Sequence, residues 1–114
     1  MNSKIAAVSY LLPEKILTND ELAALFPDNT AHGIFRKTGI SERRIFGKDT
    51  IPSDFSVNCF NKFLQEHPEV NKDDIDFLLF CSEGTDYRSP CTAGIIQNKL
   101  GLKTSVGGFD IGLS

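Results

Sequence analysis

Three thiols, two imidazoles and one acid set in an apolar run are the side chains from which this sequence of 114 residues can build chemistry. Cys59, Cys81 and Cys91 are odd in number and lack C-x-x-C spacing, which predicts reduced thiols rather than a disulfide framework. Cys91 follows Ser89-Pro90, a pair that reads as a helix start, with serine as N-cap and proline at the first helical position. A thiol there stands near helix amides and the positive end of the dipole, which favour a thiolate nucleophile. No histidine lies near Cys91 in sequence, and free cysteines are more often packing residues, so a small thiol enzyme ranks behind a scaffold role. His32 and His67 are far apart and have no neighbouring cysteine, so no zinc site is expected. Asp73, Asp74 and Asp76 stand before or at the edge of an apolar run and read as solvated. Asp110 is different. An acid inside an apolar strand must be hydrogen-bonded or paired, and its expected role is structural, tying down the turn that follows.

That turn is the point on which the rest converges. Gly107-Gly108-Phe109-Asp110-Ile111-Gly112-Leu113-Ser114 reads as a short buried strand running into small residues. Small side chains permit a sharp strand-to-helix turn, where a nucleophile would sit at a helix N-terminus. The sequence shows the approach to such a turn and not the residue on it.

Charge supplies the second candidate. The formal net charge is −3, which argues against non-specific nucleic-acid binding. Between positions 36 and 48, however, Arg36, Lys37, Arg43, Arg44 and Lys48 face a single acid, Glu42, so the window carries +4 and the remainder −7. Such a patch suits a small anionic ligand or an acidic partner. One reading of the chain is thus a small self-contained α/β binding module using this basic stretch. The apolar run from Ile5 to Leu12 is too short for a signal-peptide core or a membrane span, which predicts a soluble, cytoplasmic protein with no membrane or nucleic-acid partner.

The elements that position these residues alternate between strand and helix. Ser3 to Leu12 reads as a strand closed by Pro13. Thr18 and Glu21 form a capping-box pattern that opens a short helix with Leu22, Leu25 and Phe26 inside. A second short segment around His32 to Arg36 leads to Gly39, where the chain turns, and Ile40 and Ile45 anchor an otherwise outward-facing charged stretch. Pro52-Ser53 begins the longest helix, with Ser53 as N-cap and Val57, Phe60 and Leu64 at helical spacing, and Pro68 stops it. Cys59 belongs to that stripe as a small buried hydrophobe. The near-continuous apolar run Ile75 to Cys81 reads as a central strand covered on both faces. A polar loop from Ser82 to Arg88, a helix from Ser89-Pro90 to Gly101, and a last strand from Val106 to Ile111 complete the order. This alternation implies an α/β layered fold with parallel pairs and no interior domain boundary.

Four stretches resemble one family in the correct order. Lys37-Thr38-Gly39-Ile40-Ser41-Glu42-Arg43-Arg44-Ile45 is similar to the T-G-I-x-x-R segment of the β-ketoacyl-acyl-carrier-protein synthases III, initiating condensing enzymes of the thiolase superfamily. Tyr10-Leu11-Leu12-Pro13-Glu14 with Thr18-Asn19 resembles that family's opening, Ser89-Pro90 with Gln97 and Leu100-Gly101 its P-S-x-A helix, and Phe109-Asp110 its F-D strand.

The resemblance implies a thiolase-like layered α/β/α fold, of which residues 1–114 would form an incomplete part of the N-terminal half. It implies an acyltransferase that condenses an acyl thioester primer with malonyl-acyl-carrier protein in fatty-acid or related polyketide biosynthesis. Coenzyme A or acyl-carrier-protein thioesters would be substrates, no cofactor would be covalently bound, and the enzyme would be a homodimer. The family's nucleophilic cysteine would fall at position 115, one past Ser114, so no catalytic residue is expected within the chain, which alone would be inactive. Arg36, Lys37 and Thr38 would bind substrate, with Lys37 where the family places an arginine against the coenzyme A nucleotide. Gly33 stands where many members have an adenine-stacking tryptophan, which leaves room for a carrier-protein-bound donor. Ser89 would also contact substrate, replacing a phenylalanine that limits the acyl pocket. Asp110 would be structural near the site.

Overall fold

The computed structural model describes residues 2–112, which form two compact units: residues 12–49, and residues 2–11 together with 50–112.

In the smaller unit, β1 (Lys15–Thr18) pairs antiparallel with β2 (Glu42–Ile45), with Lys15 opposite Ile45 and Thr18 opposite Glu42. β2 falls in the outward-facing charged stretch between Ile40 and Ile45, where the sequence pattern predicts no strand. Alternation along it is read from pairing rather than hydropathy, with Arg43 and Ile45 half-buried and Glu42 and Arg44 exposed. Arg44 donates from Nη1 to the carbonyls of Pro13 and Glu14, at 3.3 and 3.0 Å, which fixes the entry into β1. Helix α1 (Asn19–Leu25) starts where β1 ends, on the capping box the sequence predicts. The Glu21 amide donates to Thr18 Oγ1 at 3.2 Å, and the Thr18 amide and hydroxyl donate to the Glu21 carboxylate at 2.8 and 3.0 Å. Asn19, buried, donates to the Ile40 carbonyl and accepts from Arg43 Nη2, joining α1 to the chain entering β2. Helix α2 (Ala31–Thr38) is capped by Thr30 and ends at Gly39, whose φ of 69° is left-handed and suits glycine.

The hydrogen bonds from Thr18 hold the Glu21 carboxyl below its ordinary value of 4.5. A depressed folded value means that the ionised form stabilises the helix start above the unfolded value, and that this contribution is lost as pH falls through the folded value. On acidification the amide signals of Thr18 and Glu21 are therefore expected to lose their capped shifts below the ordinary glutamate range. Glu21→Gln should remove that transition, and NMR titration checks it.

The larger unit is a β–α–β arrangement with a long helix added. β3 (Phe77–Cys81) and β4 (Gly107–Ile111) pair in parallel, Phe77 opposite Gly107 and Cys81 opposite Ile111, with α4 (Thr92–Leu100) as the crossover. Leu78, Phe80, Gly108 and Asp110 lie on the face toward α4. Gly108 allows close approach there: a Cβ at that position would stand 3.6 Å from the Ala93 Cβ and 3.3 Å from the Leu78 carbonyl. The core comprises Ala93, Ile96, Leu102 and Val106. α4 ends at Gly101, φ 61°, where the sequence places its stop. Helix α3 (Pro52–Glu66) packs on α4.

Three expectations are corrected here. β3 is covered on one face only: Phe77, Leu79 and Cys81 alternate outward, Leu79 57% exposed, with Phe109 and Ile111 beside them on β4. A continuous apolar run is compatible with two covered faces, but only neighbouring layers can cover them. The Phe77 ring lies over Gly107 and meets Phe109 edge-on at 5.6 Å, so the outer face packs on itself. Second, Ser3 to Leu12 is not a strand. Its composition suits one, but a strand needs a neighbour to take its amides and carbonyls, and both two-stranded sheets are formed without it. Ile5 is 84% and Val8 73% exposed, while Ser9 donates to Glu66 and accepts from Lys62 on α3. Cys59 is half-buried rather than fully buried, lining a shallow groove on α3 with Ser9, Ser56, Phe60 and Phe63.

Candidate functional site

Neither of the two helices beginning at the C-terminal side of the sheet is capped from its own sequence. Pro52 is the first residue of α3, the N-cap position is Ile51, and Ser53 lies inside the helix, wholly buried. α4 begins at Thr92, not at Pro90; its N-cap position is Cys91, which makes no side-chain cap. The Ser89–Pro90 bond is cis and lies in the loop before the helix. Serine and proline in these positions signal helix starts statistically, yet the orphan amides of a first turn need only an acceptor from somewhere.

Here the acceptors come from remote carboxylates. Asp110 on β4 accepts from the Thr92 amide through Oδ2 and from the Ala93 amide through Oδ1, both at 2.7 Å. Asp86, in the loop after β3, accepts from the Ser53 amide at 3.0 Å through Oδ1. The Asp86 amide in turn donates to Thr92 Oγ1 at 3.3 Å. Lys99 Nζ, one residue before the end of α4, donates to Ser53 Oγ at 2.7 Å and also reaches the Asp54 carboxylate. The result is one connected network from β4 through the first turn of α4 and the loop to the first turn of α3. Ser53 and Thr92 are both fully shielded from solvent within it. In parallel α/β sheets, ligands bind beyond the carboxyl ends of the strands, and this network orders that end of the β3–β4 pair.

Asp110 is thus hydrogen-bonded, as an acid on an apolar strand must be, but to the helix that precedes its strand rather than to the turn that follows. Its carboxylate also bears on Cys91. The Thr92 and Ala93 amides at that helix end are already taken by the Asp110 carboxylate and are not open to a group on Cys91. Cys91 is exposed and is not poised as a nucleophile. Among the described residues no group of three or more histidine, cysteine, aspartate or glutamate side chains is placed to hold a metal ion. No helix among them is long and apolar enough to cross a membrane.

The other predicted residues sit in two places. Arg36, Lys37 and Thr38 share the last turn of α2, all exposed. The Thr38 hydroxyl donates to the Ile34 carbonyl at 2.8 Å and accepts from the Ile40 amide at 3.1 Å, so it stiffens the Gly39 turn. Gly33 lies in the first turn of α2, where an added Cβ would stand 3.1 Å from Thr30 Oγ1 and crowd the cap. Ser89 is exposed in the loop three positions before α4, close in sequence to the Asp86 and Thr92 contacts. Leu113, Ser114 and the turn expected after them lie outside the described residues. Asp86, Thr92 and Lys99 were missed by sequence reasoning. The signal that could have exposed them is negative: Ile51 and Cys91 are poor caps, so an acceptor from elsewhere is required.

Within the basic window Arg43 donates from Nη2 to Asn19 Oδ1 and Arg44 from Nη1 to the Pro13 and Glu14 carbonyls, which ties both side chains to their own unit. With two of its five cations held in this way, a self-contained module built on that patch finds no support.

No family model matches the chain. A β-ketoacyl-[acyl-carrier-protein] synthase III of Halalkalibacterium halodurans is 33% identical over 109 residues, 96% of this chain and 32% of the relative. The synthase III of Ehrlichia chaffeensis is 36% identical over 109 residues, again 96% of the chain and 33% of the relative. Among solved structures, a 3-oxoacyl-(acyl-carrier-protein) synthase III at 39% identity superposes with a TM-score of 0.72 over 90% of this chain and 30% of its own. The Thermus thermophilus synthase III superposes with a TM-score of 0.79 at 28% identity, covering 96% of this chain and 33% of that one. The chain spans about a third of the length of the curated relatives it matches. In sequence and in its α/β fold, the chain is similar along its length to about a third of the β-ketoacyl-[acyl-carrier-protein] synthases III.

Proposed function

We propose that this chain serves the reaction of the synthases III, condensing an acyl thioester primer with malonyl-acyl-carrier protein in a fatty-acid or related biosynthetic route. The observation that carries the reading is similarity to synthases III along 96% of the chain, with the F-D strand ordered against a helix N-terminus. In this reading an enzyme thiolate attacks the primer's carbonyl, the bond from acyl carbon to donor sulfur breaks, and the donor leaves as a thiol after taking a proton. Malonyl-acyl-carrier protein then loses carbon dioxide, its carbanion attacks the acyl-enzyme to form the new C–C bond, and the thiolate is released. The nucleophile is assigned to position 115, five residues after Asp110, and to none of Cys59, Cys81 and Cys91. Residues 1–114 would then be part of one condensing-enzyme domain, working in the cytoplasm as a homodimer with acyl-carrier protein and acyl-coenzyme A as partners.

Arg36 and Lys37 are assigned to the donor's phosphates and Thr38 to the turn that presents them, with Ser89 lining the acyl path. Arg36, Lys37 and Lys48 have no hydrogen-bond or ion-pair partner among the described residues and are the cations of the window left for a ligand. In the full-length polypeptide, Lys37→Glu is expected to raise KM for an acyl-coenzyme A donor about tenfold while kcat changes little, since charge reversal at an entrance removes uniform binding. Steady-state kinetics with coenzyme A and carrier-protein donors check this. Unchanged KM for both donors would remove Lys37 from the donor site, and absence of any acyl transfer by the wild-type polypeptide would remove the reaction.

A further inference from the structure

We propose that Asp86 is a positioning residue for the loop between β3 and α4, and that through this loop it sets the range of acyl donors accepted. The inference rests on the functional reading above, in which Ser89 lines the acyl path.

The loop from Ser82 to Cys91 has no regular secondary structure, and Tyr87, Arg88, Ser89 and Pro90 are exposed along it. A segment of this kind keeps one shape only if something grips it. Its first residues are held by β4, the Ser82 amide donating to the Ile111 carbonyl at 3.1 Å, and by the Gly84 amide donating to Ser82 Oγ at the same distance. Asp86 is the grip in the middle. Its carboxylate takes the Ser53 amide at the start of α3, and its own amide is bound by the Thr92 hydroxyl at the start of α4. Both anchor residues are fully buried, so the two ends of the grip are rigid. Lys99 holds Ser53 from the other side through its hydroxyl. Ser89 lies midway between the two gripped residues in sequence, three positions from each. Its placement relative to the C-terminal ends of β3 and β4 therefore depends on Asp86 rather than on contacts of its own.

The test uses the full-length polypeptide and a series of acyl-coenzyme A donors of increasing chain length, with kcat and KM measured for each. Asp86→Ala removes the acceptor for the Ser53 amide, whereas Asp86→Asn keeps an oxygen that can accept from it. Asp86→Ala is expected to change the ratio of kcat/KM between short and long donors by about tenfold, the scale of one lost hydrogen bond to a charged group. Asp86→Asn is expected to restore the wild-type ratio. Thr92→Val, which removes the acceptor of the Asp86 amide while keeping side-chain volume, should shift the ratio in the same direction and supplies the test if Asp86→Ala does not fold. A parallel fall for all donors, with the ratio unchanged, would reduce Asp86 to a structural cap and overturn the proposal while leaving the functional reading intact. No acyl transfer from any donor by the wild-type polypeptide would overturn both.

Discussion

Asp110→Ala is expected to lower the stability of the larger unit by about 3 kcal/mol, since it leaves two first-turn amides without an acceptor and removes two hydrogen bonds to a charged group. The bonds are short, 2.7 Å each, and both carboxylate oxygens are engaged. Loss of the carboxylate also takes a negative charge from the positive end of α4. Asp110→Asn should fall between wild type and alanine: it keeps one acceptor oxygen but sets an amide donor against a backbone donor. Urea denaturation reports the effect as a lower midpoint at unchanged slope. A loss under about 1 kcal/mol for the alanine variant would mean that water caps the helix equally well, and the network described here would not be what holds β4 to α4.

Ile96→Ala should cost about 2–4 kcal/mol by the same measurement, through lost transfer energy and the cavity left between α4 and the sheet. Ile96 is 3% exposed, and α4 packs on both strands of a sheet brought close by Gly108 and Ala93, which leaves little freedom to collapse into the gap. Leu79→Ala is the control. On the outward face of the same sheet, 57% exposed, it should change stability by no more than about 0.5 kcal/mol. Equal effects at the two positions would mean that the layer covering Leu79 in solution is as tight as the one covering Ile96.

The two variants divide the molecule in a way that hydropathy does not. Leu79 and Ile96 are both large and apolar, and in sequence Leu79 is the more convincing core residue because it sits in an unbroken apolar run. Pattern reports what a side chain prefers, whereas burial depends on which layers are present to cover it. The same distinction explains residues 3–12, whose composition asks for a strand but whose backbone groups find no neighbouring strand among the described elements.

What the sequence by itself determined is what local geometry dictates. The Thr18–Glu21 capping box and the left-handed turns that end α2 at Gly39 and α4 at Gly101 all depend on residues within a few positions of one another. The requirement that Asp110 have a partner was also legible, because an acid cannot lie unpaired on an apolar strand. Which partner it takes was decided by the tertiary structure. Asp110 is 18 positions from Thr92 and Asp86 is 33 from Ser53, and no local rule connects residues so far apart. The serines that read as caps, Ser53 and Ser89, are not caps, because stronger acceptors arrive from β4 and from the loop after β3. A charged carboxylate binds a helix amide more tightly than a neutral hydroxyl does, and only the parallel pairing of β3 with β4 delivers Asp110 to the start of α4.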